Sequence, residues 1–414
     1  LYEQVNANHL ASDLAERKHS FTNFFVKVEK LIVTQNDTPE IEKDLVYRGI
    51  NPRDPFYNME LGRYIRHHEH TMLRAFDILN YRGHACVYKG MNAEEQASNL
   101  RKAWLEFDDP IAIGLDASRF DQHCSRMALM FEHSIYKSLY KGDKYLETLL
   151  QWQLTTHARC FTSDGFKIAF NKTGIRCSGD MNTSLGNCII MVHLLLHYLK
   201  VNKVPAVIVN NGDDNVLITS RRFLTKVMST ISPYFLRYGY NIVVEPAVSI
   251  FEQIVFCQTQ PVLNGLSKYV MCRDPRVCLS KDTTCVHSYS EKGFMAWRKA
   301  VSDCGLALCN GVPIMSSFYK CLGRGCDSVK TRTGNSFRLN ESGFYQLSKG
   351  LAKIDVPTTV ESRASFCQAF GILPSMQRRI EKHYDELILD TTIVPGGAPG
   401  IFNYYTLPIN IHAF

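Results

Sequence analysis

The sequence predicts an α+β fold, and three observations carry that expectation. The 414 residues are 45% hydrophobic and 21% charged, enough to bury a substantial core in roughly two to three domain-sized bodies. Short apolar strands alternate with segments of helical period between residues 59 and 271. From about residue 286 the pattern turns helical, then runs into a Pro- and Gly-rich tail, Val394-Pro-Gly-Gly-Ala-Pro-Gly400.

Taken in order, residues 1–35 carry Leu10, Leu14, Phe24, Phe25, Val28 and Leu31 at helix-like intervals, which predicts an amphipathic helix before the polar break at 35–39. Residues 44–58 read as extended, because Pro52 and Pro55 interrupt a helix and push their predecessors toward β geometry. Helices are expected over 59–79 and from Ala93 through Trp104. Ile111-Ala-Ile-Gly-Leu-Asp116 is a compact strand, followed by a break at Ser118-Arg119 and a helix near Phe120. Residues 143–158 read as helix, and 159–170 as a hairpin turning at Asp164-Gly165. A loop over 174–181 feeds a helix over 182–200, and 206–219 reads as two short apolar strands around a polar tip. A helix (222–238), a strand (240–245) and a hairpin (250–271) follow, without internal repeat or low-complexity tract.

Lys and Arg total 47 against 40 Asp and Glu, and the net +7 permits a polyanionic partner without demanding one. No uninterrupted apolar run reaches the roughly 18 residues of a spanning helix, so no transmembrane segment is expected and the chain is expected to be soluble. It opens at Leu1 without a signal-peptide pattern, which suggests a fragment in which any upstream anchor or address would be invisible. The 14 cysteines are scattered, and a chain of this size needs no disulfide framework, so a reducing compartment is expected. Cys304-x4-Cys309 and Cys321-x4-Cys326 have a spacing that a four-thiolate zinc site can use. They also sit among Leu306, Leu308, Ile314 and Phe318, where Cys acts as a small hydrophobe. His67, His68 and His70 beside Glu69 lie on a basic helix, and a metal is the lesser reading there.

The sharpest local feature is Asn210-Asn211-Gly212-Asp213-Asp214-Asn215 between two apolar strands. Adjacent carboxylates at a hairpin tip repel, and a cation against them relieves that repulsion. Turn chemistry alone, with Gly and Asn supplying positive φ, is the competing explanation. A second acidic set is Asp116-Ala-Ser-Arg-Phe-Asp121: Asp116 ends a strand that is otherwise apolar, where an unpaired carboxylate is disfavoured. Asp121 or Ser118 as a helix cap is the plainer alternative. If the two sets converge, the oxygen-rich site suits two Mg²⁺ or Mn²⁺ ions; such a pair, about 3.5–4 Å apart, activates an attacking hydroxyl and neutralises a leaving phosphate. A third element is Cys177-Ser178-Gly179-Asp180-Met181-Asn182-Thr183-Ser184-Leu185-Gly186-Asn187. Thr183 and Asn187 are at i, i+4 and share a helix face, where hydroxyl and amide groups can read a sugar hydroxyl. Capping by Asp180 or Asn182 is the alternative there.

Asp116-x4-Asp121, Ser178-Gly179-x3-Thr183-x3-Asn187 and Gly212-Asp213-Asp214, in that order, resemble motifs A, B and C of the RNA-dependent RNA polymerases of positive-strand RNA viruses. The wording is most similar to the tombusvirus-like group, with flavivirus-type enzymes more distant. The resemblance covers residues 44–270 and implies a right-hand polymerase: fingers, a palm with an antiparallel sheet and flanking helices, and a mainly helical thumb. Its expected layout is an N-terminal, truncated fingers portion over 1–109, palm over 110–124, a fingers insertion over 125–175, palm again over 176–270, thumb over 271–393 and a C-terminal tail over 394–414.

By the same resemblance Asp116 and Asp213 hold two Mg²⁺ or Mn²⁺ ions with Asp214 supporting. Asp121, Ser178, Thr183 and Asn187 sense the ribose 2′-hydroxyl, and Gly179 lets a template-contacting loop flex. Arg48-Gly-Ile-Asn-Pro-Arg53 is similar to motif F, whose basic residues grip the triphosphate, so Arg48 and Arg53 are the expected NTP contacts. Relatives often carry Lys where this sequence has Val46, and Lys43 is the candidate substitute. Residues 251–258 are similar to the motif E hairpin. Residues 268–338 hold twelve Lys and Arg against five Asp and Glu, with Tyr269, Tyr289 and Trp297 interleaved, a mixture that backbone-tracking RNA contacts use and that a solvated helical face also shows.

The implied activity is template-directed nucleotidyl transfer from NTPs to an RNA 3′-hydroxyl, replicating a positive-strand genome. RNA template and product, NTPs, and viral and host replication proteins are the implied partners. The implied location is the host cytoplasm, at membrane-associated replication complexes reached through other segments or partners. A reverse transcriptase or other palm-type polymerase is the rival enzyme; a catalytically inactive RNA-binding scaffold is the rival outside enzymes.

Overall fold

The computed structural model describes residues 13–27, 48–161, 164–283, 291–326 and 343–387. Lys43, Val46, Tyr289 and the 394–414 tail lie outside that set. The described residues fall into two compact units, one built from 13–27, 48–87 and 107–247, the other from 88–106 and 248–387.

The first unit is organised around a four-stranded antiparallel sheet. Its strands are β4 (Pro110–Ala117), β7 (Ala206–Asn211), β8 (Asp214–Ser220) and β9 (Ile242–Val244), in the order β7-β8-β4-β9. Short strands β1 (Thr22–Asn23), β2 (Phe25–Val26) and β3 (Gly49–Ile50) precede it, and the hairpin of β5 (Thr155–Phe161) and β6 (Lys167–Thr173) pairs with β1. The helices are α1 (Pro55–Ile65), α2 (Glu69–Leu79), α3 (Phe120–His123), α4 (Arg126–Leu139), α5 (Lys144–Gln153), α6 (Thr183–Asn202) and α7 (Leu224–Leu236). The sheet's two central strands explain themselves chemically: Ile111, Ile113 and Leu115 of β4 and Val216, Leu217 and Ile218 of β8 are buried, and apolar residues at every inward position fit a covered sheet.

Helix α6 passes the length and apolarity test for a membrane span, which the sequence reading did not anticipate. Its composition has another cause here. Leu185, Ile189, Val192, Leu195 and Tyr198 are buried in the core shared with Ile111, Ile208 and Leu217, and a helix apolar on all sides is what a core position requires.

Several local expectations are corrected. The helix read over 1–35 does not extend through 22–26, where Phe24 and Phe25 belong to an extended segment that pairs β2 with β3. Pro55 opens a helix instead of blocking one: it occupies the first turn, where no N–H is needed, and Asp54 caps it by accepting from the Phe56 N–H at 2.8 Å. The segment read as one helix over 59–79 is two, α1 and α2. Residues 155–158, read as helical, begin β5.

The second unit holds the antiparallel hairpin of β10 (Thr259–Leu263) and β11 (Tyr269–Arg273), the Ala93–Trp104 helix packed on β11, and helices at Pro275–Lys281, Glu291–Leu308, Met315–Gly323, Gly343–Ser348, Val360–Phe370 and Pro374–Glu386. Residues 251–253, expected at the start of a hairpin, form a 3-10 turn. Cys309, Cys321 and Cys326 are buried among these helices.

Within the basic stretch over 268–338, several of the described Lys and Arg side chains are engaged by the fold. Arg298 is buried and donates to the carbonyls of Leu322 and Arg324, while Arg324 donates to those of Tyr384 and Asp385 at the end of a helix. Arg273 pairs with Asp282, Arg276 with Asp274 and the Phe370 carbonyl, Lys299 with Asp303, Lys320 with Asp355 and Lys268 with Glu94. The described arginines of this stretch act as internal cross-links, while Lys330, Arg332 and Arg338 lie outside the described residues.

Candidate active site

The β7–β8 hairpin closes with Asn211 opposite Asp214, leaving Gly212 and Asp213 as its turn. Gly212 takes φ +81°, as the first position of a type II′ turn demands. Two buried amides brace the tip: Asn210 Nδ2 donates to the Gly212 carbonyl at 2.7 Å and to Asn215 Oδ1 at 2.6 Å, and Asn215 Nδ2 donates to the Asp213 carbonyl at 2.7 Å. Turn chemistry thus accounts for Asn210, Gly212 and Asn215. It does not account for the carboxylates.

The same strand register sets Asp214 directly opposite Asp116 on β4. Like charges so placed destabilise a sheet unless something neutralises them. Asp213 stands at the exposed tip, where surrounding protein bulk raises its carboxyl above the usual range. Its own backbone N–H opposes that rise, the Asp116 charge adds to it, and Arg48 pulls the other way. Asp116, Asp213 and Arg48 therefore share one electrostatic neighbourhood.

A further carboxylate, not singled out from the sequence, lies close by. The Glu245 N–H donates to the Gly114 carbonyl at 2.9 Å, and its carboxylate rests against Gly114 so closely that a Cβ there would collide with it. Gly114 and Asp116 alternate onto one face of β4. Burial, and then the Asp116 charge, raise the Glu245 carboxyl. Glycine inside an otherwise apolar strand was the available signal, since it marks a close approach.

Among the described residues, no three His, Cys, Asp or Glu side chains converge tightly enough to hold a metal unaided. The donors that do gather are all carboxylate oxygens. Mg²⁺ characteristically takes one or two carboxylates and completes its shell with water and substrate phosphate, so this donor set fits an ion held jointly by protein and nucleotide.

Arg119, in the left-handed region at φ 50°, turns the chain from β4 into α3 and sets Asp121 on that short helix. Asp121 Oδ1 accepts from Asn187 Nδ2 at 2.9 Å. Burial raises the Asp121 carboxyl, the Asn187 hydrogen bond and Arg176 lower it, and Asp213 raises it further. The second acidic residue of the A-like motif and the last residue of the B-like motif are thus in direct contact, within reach of the hairpin tip.

Thr183 Oγ1 donates to the Cys177 carbonyl at 2.6 Å, closing the loop onto the start of α6. Ser178 is exposed, its Oγ 3.4 Å from the Asn51 N–H that donates to it. Gly179 packs on the main chain of Pro52, and a Cβ there would lie 2.5 Å from Pro52 Cα. Neither Asp180 nor Asn182 caps α6, the alternative read from the sequence: Asp180 pairs with Arg53, and Asn182 Nδ2 donates to Glu132.

Of the two arginines expected to grip a triphosphate, Arg48 is exposed and its charge reaches Asp213. Arg53 is corrected. It is 3% exposed, its Nε donates to Asp180 Oδ1 at 2.5 Å, another nitrogen donates to the Ser20 carbonyl, and its plane lies over Tyr57. A guanidinium spent this way holds the 51–53 segment to the 177–180 loop and is not presented to a ligand.

The family model described as viral RNA dependent RNA polymerase matches residues 2–392. The chain belongs to the viral RNA-dependent RNA polymerase family. It is 43% identical over 376 residues to the RNA-directed RNA polymerase of Tobacco necrosis virus (strain A), covering 89% of this chain and 50% of that one. It is 38% identical over 396 residues to that of Carnation mottle virus, covering 95% and 50%. For that of Tomato bushy stunt virus (strain Cherry) the identity is 38% over 404 residues, covering 93% and 45%. The chain spans about half the length of these curated relatives. All three are tombusvirus-like proteins, in keeping with the resemblance drawn from the motif wording.

Proposed function

We propose that this chain is the catalytic core of an RNA-directed RNA polymerase that replicates a positive-strand RNA genome. The observation that carries the reading is the register of β4 and β8, which sets Asp214 opposite Asp116 and leaves Asp213 at the adjoining tip. The relatives' shared name supports the reaction class. The reaction is in-line attack of an RNA 3′-hydroxyl on the α-phosphate of an NTP with pyrophosphate leaving, so the protein contributes mainly positioning and charge. Two Mg²⁺ or Mn²⁺ ions, bound when nucleotide is present, would supply activation of the hydroxyl and neutralisation of the leaving group.

Asp116 and Asp213 provide the carboxylates for those ions, with Asp214 supporting from β8. Asp121 and Asn187, together with Ser178 and Thr183, receive the ribose 2′-hydroxyl, the group that separates RNA from DNA precursors. Arg48 contributes charge to the triphosphate. Gly179 keeps the 177–180 loop close to the 51–53 segment at the template side. In this reading 110–124 and 176–270, with the β7-β8-β4-β9 sheet, are the palm of a right hand, 1–109 and 125–175 belong to the fingers and 271–393 to the thumb. RNA template and product and NTPs are its ligands. Replication proteins of virus and host are its further partners, and membrane-associated replication complexes in the host cytoplasm its place of work.

The test is template-directed incorporation of labelled NTPs on a short RNA with Mg²⁺ or Mn²⁺. Wild type should extend, and Asp213→Ala should lose nucleotide addition while retaining RNA binding. Synthesis unchanged in the variant would remove the mechanism; RNA binding without synthesis in the wild type would favour an inactive scaffold. Preference for deoxyribonucleotides would favour a reverse transcriptase.

A further inference from the structure

The Asp121–Asn187 contact has a buried support behind it. An asparagine amide can face a carboxylate with its NH₂ end or, flipped, with its oxygen, and only the first orientation bonds. Arg176 decides between them. Its Nε donates to Asn187 Oδ1 at 3.0 Å, on the side of the amide away from Asp121, while Asn187 Nδ2 donates to Asp121 Oδ1 at 2.9 Å. The backbone N–H of Arg176 also donates to the Asp121 carbonyl at 2.7 Å, so one residue holds both members of the pair.

Arg176 is itself held. It is 3% exposed and its terminal nitrogen is ion-paired with Glu132, which is fully buried on α4. Glu132 also accepts from the Tyr136 hydroxyl at 2.8 Å and from Asn182 Nδ2 at 2.6 Å. The neighbouring turn of α6 is shaped to admit this pair: a Cβ on Gly186 would collide with Glu132 Oε1 and lie 2.6 Å from Arg176 Nη2. A buried ion pair is weak evidence of a stabilising role, since apolar residues of similar volume often serve as well. This one abuts the amide that Asp121 depends on.

We propose that the Glu132–Arg176 pair is a positioning device that fixes the Asn187 amide, and through it the Asp121 carboxylate, in the orientation that receives a ribose 2′-hydroxyl. Glu132, Arg176 and Gly186 thereby set discrimination between ribo- and deoxyribonucleotides without touching either. The inference rests on the reading of Asp121 and Asn187 as the ribose-sensing pair. With Asn187 occupying one carboxylate oxygen, the other is left to accept from the sugar hydroxyl, and loss of the amide's anchor removes that arrangement without removing any metal-binding group.

The test is single-nucleotide extension of an RNA primer–template by the full chain, comparing kcat/KM for CTP with kcat/KM for dCTP in wild type, Asn187→Ala and Arg176→Lys. Lys retains a cation beside Glu132, but one ammonium does not reproduce the fork that also reaches Asn187. Arg176→Lys is expected to lower the CTP-to-dCTP ratio about tenfold, or about 1.4 kcal/mol, with RNA binding and melting temperature near wild type. A merely structural role would reduce both substrates together and leave the ratio unmoved. If Asn187→Ala lowers the ratio and Arg176→Lys does not, the positioning role is overturned and the ribose reading stands; if neither lowers it, both are overturned. Should Arg176→Lys fail to fold, Gly186→Ala, which displaces the pair while keeping every polar group, is expected to lower the ratio in the same direction, and an unchanged ratio there overturns the proposal.

Discussion

Substituting Gly179 by Ala tests how tightly the 177–180 loop must pack. The residue's φ is outside the left-handed region, so alanine meets no conformational penalty and the whole effect comes from space. Its Cβ would lie 2.5 Å from Pro52 Cα, 3.0 Å from Pro52 N and 3.1 Å from Asn51 O. Carbon atoms in contact sit about 3.5–4.0 Å apart, so the two segments must part by about 1 Å. Every atom met is main chain, and the ion pair of Arg53 with Asp180 at 2.5 Å and the Asn58 Nδ2 bond to the Gly179 carbonyl at 3.0 Å pull the segments together. Overpacking of this kind costs about 1–3 kcal/mol. The shift also carries Ser178, and a displacement of about 1 Å near reacting groups costs on the order of a hundredfold in rate. Gly179→Ala should therefore lower stability in urea unfolding by about 1–3 kcal/mol and slow single-nucleotide extension by about two orders of magnitude. Extension within threefold of wild type with unchanged stability would refute the packing argument and leave flexibility as the reason for glycine.

The arginines of the 48–53 segment should separate in function. Arg53→Met strands Asp180 in a buried site and should cost about 3–5 kcal/mol of stability, whereas Arg48→Ala, at an exposed position, should stay within about 0.5 kcal/mol and instead raise KM for NTP; equal effects on both quantities would contradict the assignment. His133 gives a pH signature. Burial holds its pKa down at about 4, against 6.5 for an ordinary histidine, so the folded state resists a proton that the unfolded chain accepts. Stability is then fully present above about pH 6.5 and is lost as pH falls toward 4, by about 3 kcal/mol at roughly 1.4 kcal/mol per pH unit. His133→Gln should flatten that part of the unfolding profile, and an unaltered profile would place the acid sensitivity elsewhere.

The central strands and the acidic hairpin were legible because their signals are local. An apolar run ending in Asp116 and a Gly-Asp turn between β-branched runs specify β4, β7 and β8 almost without context, and the long apolar stretch after the 174–181 loop marks α6 by its length. What could not be read depends on contacts far apart in sequence. Phe24 and Phe25 fit a helical pattern, but Phe25 is drawn into β pairing with Ile50 and the Phe24 N–H donates to the Arg159 carbonyl. Arg53 carries the same fork whether it faces a phosphate or the Asp180 carboxylate, and only the fold chooses. Glu245 and Glu132 are ordinary acidic residues in the sequence; the first becomes notable through Gly114 and the second through Arg176. The basic surplus over 268–338 is silent for a related reason, because a charge count does not show that Arg276, Arg298 and Arg324 donate to carbonyls.

The most direct measurement of the two-carboxylate claim is Mn²⁺ binding followed by electron paramagnetic resonance, with RNA primer–template and a non-hydrolysable NTP present. Wild type should remove two Mn²⁺ per chain from the free-ion signal at saturation, and Asp116→Asn and Asp213→Asn should each lose that binding while still holding RNA. Undiminished Mn²⁺ uptake by either variant would contradict the claim that Asp116 and Asp213 share the ions on which nucleotide addition depends.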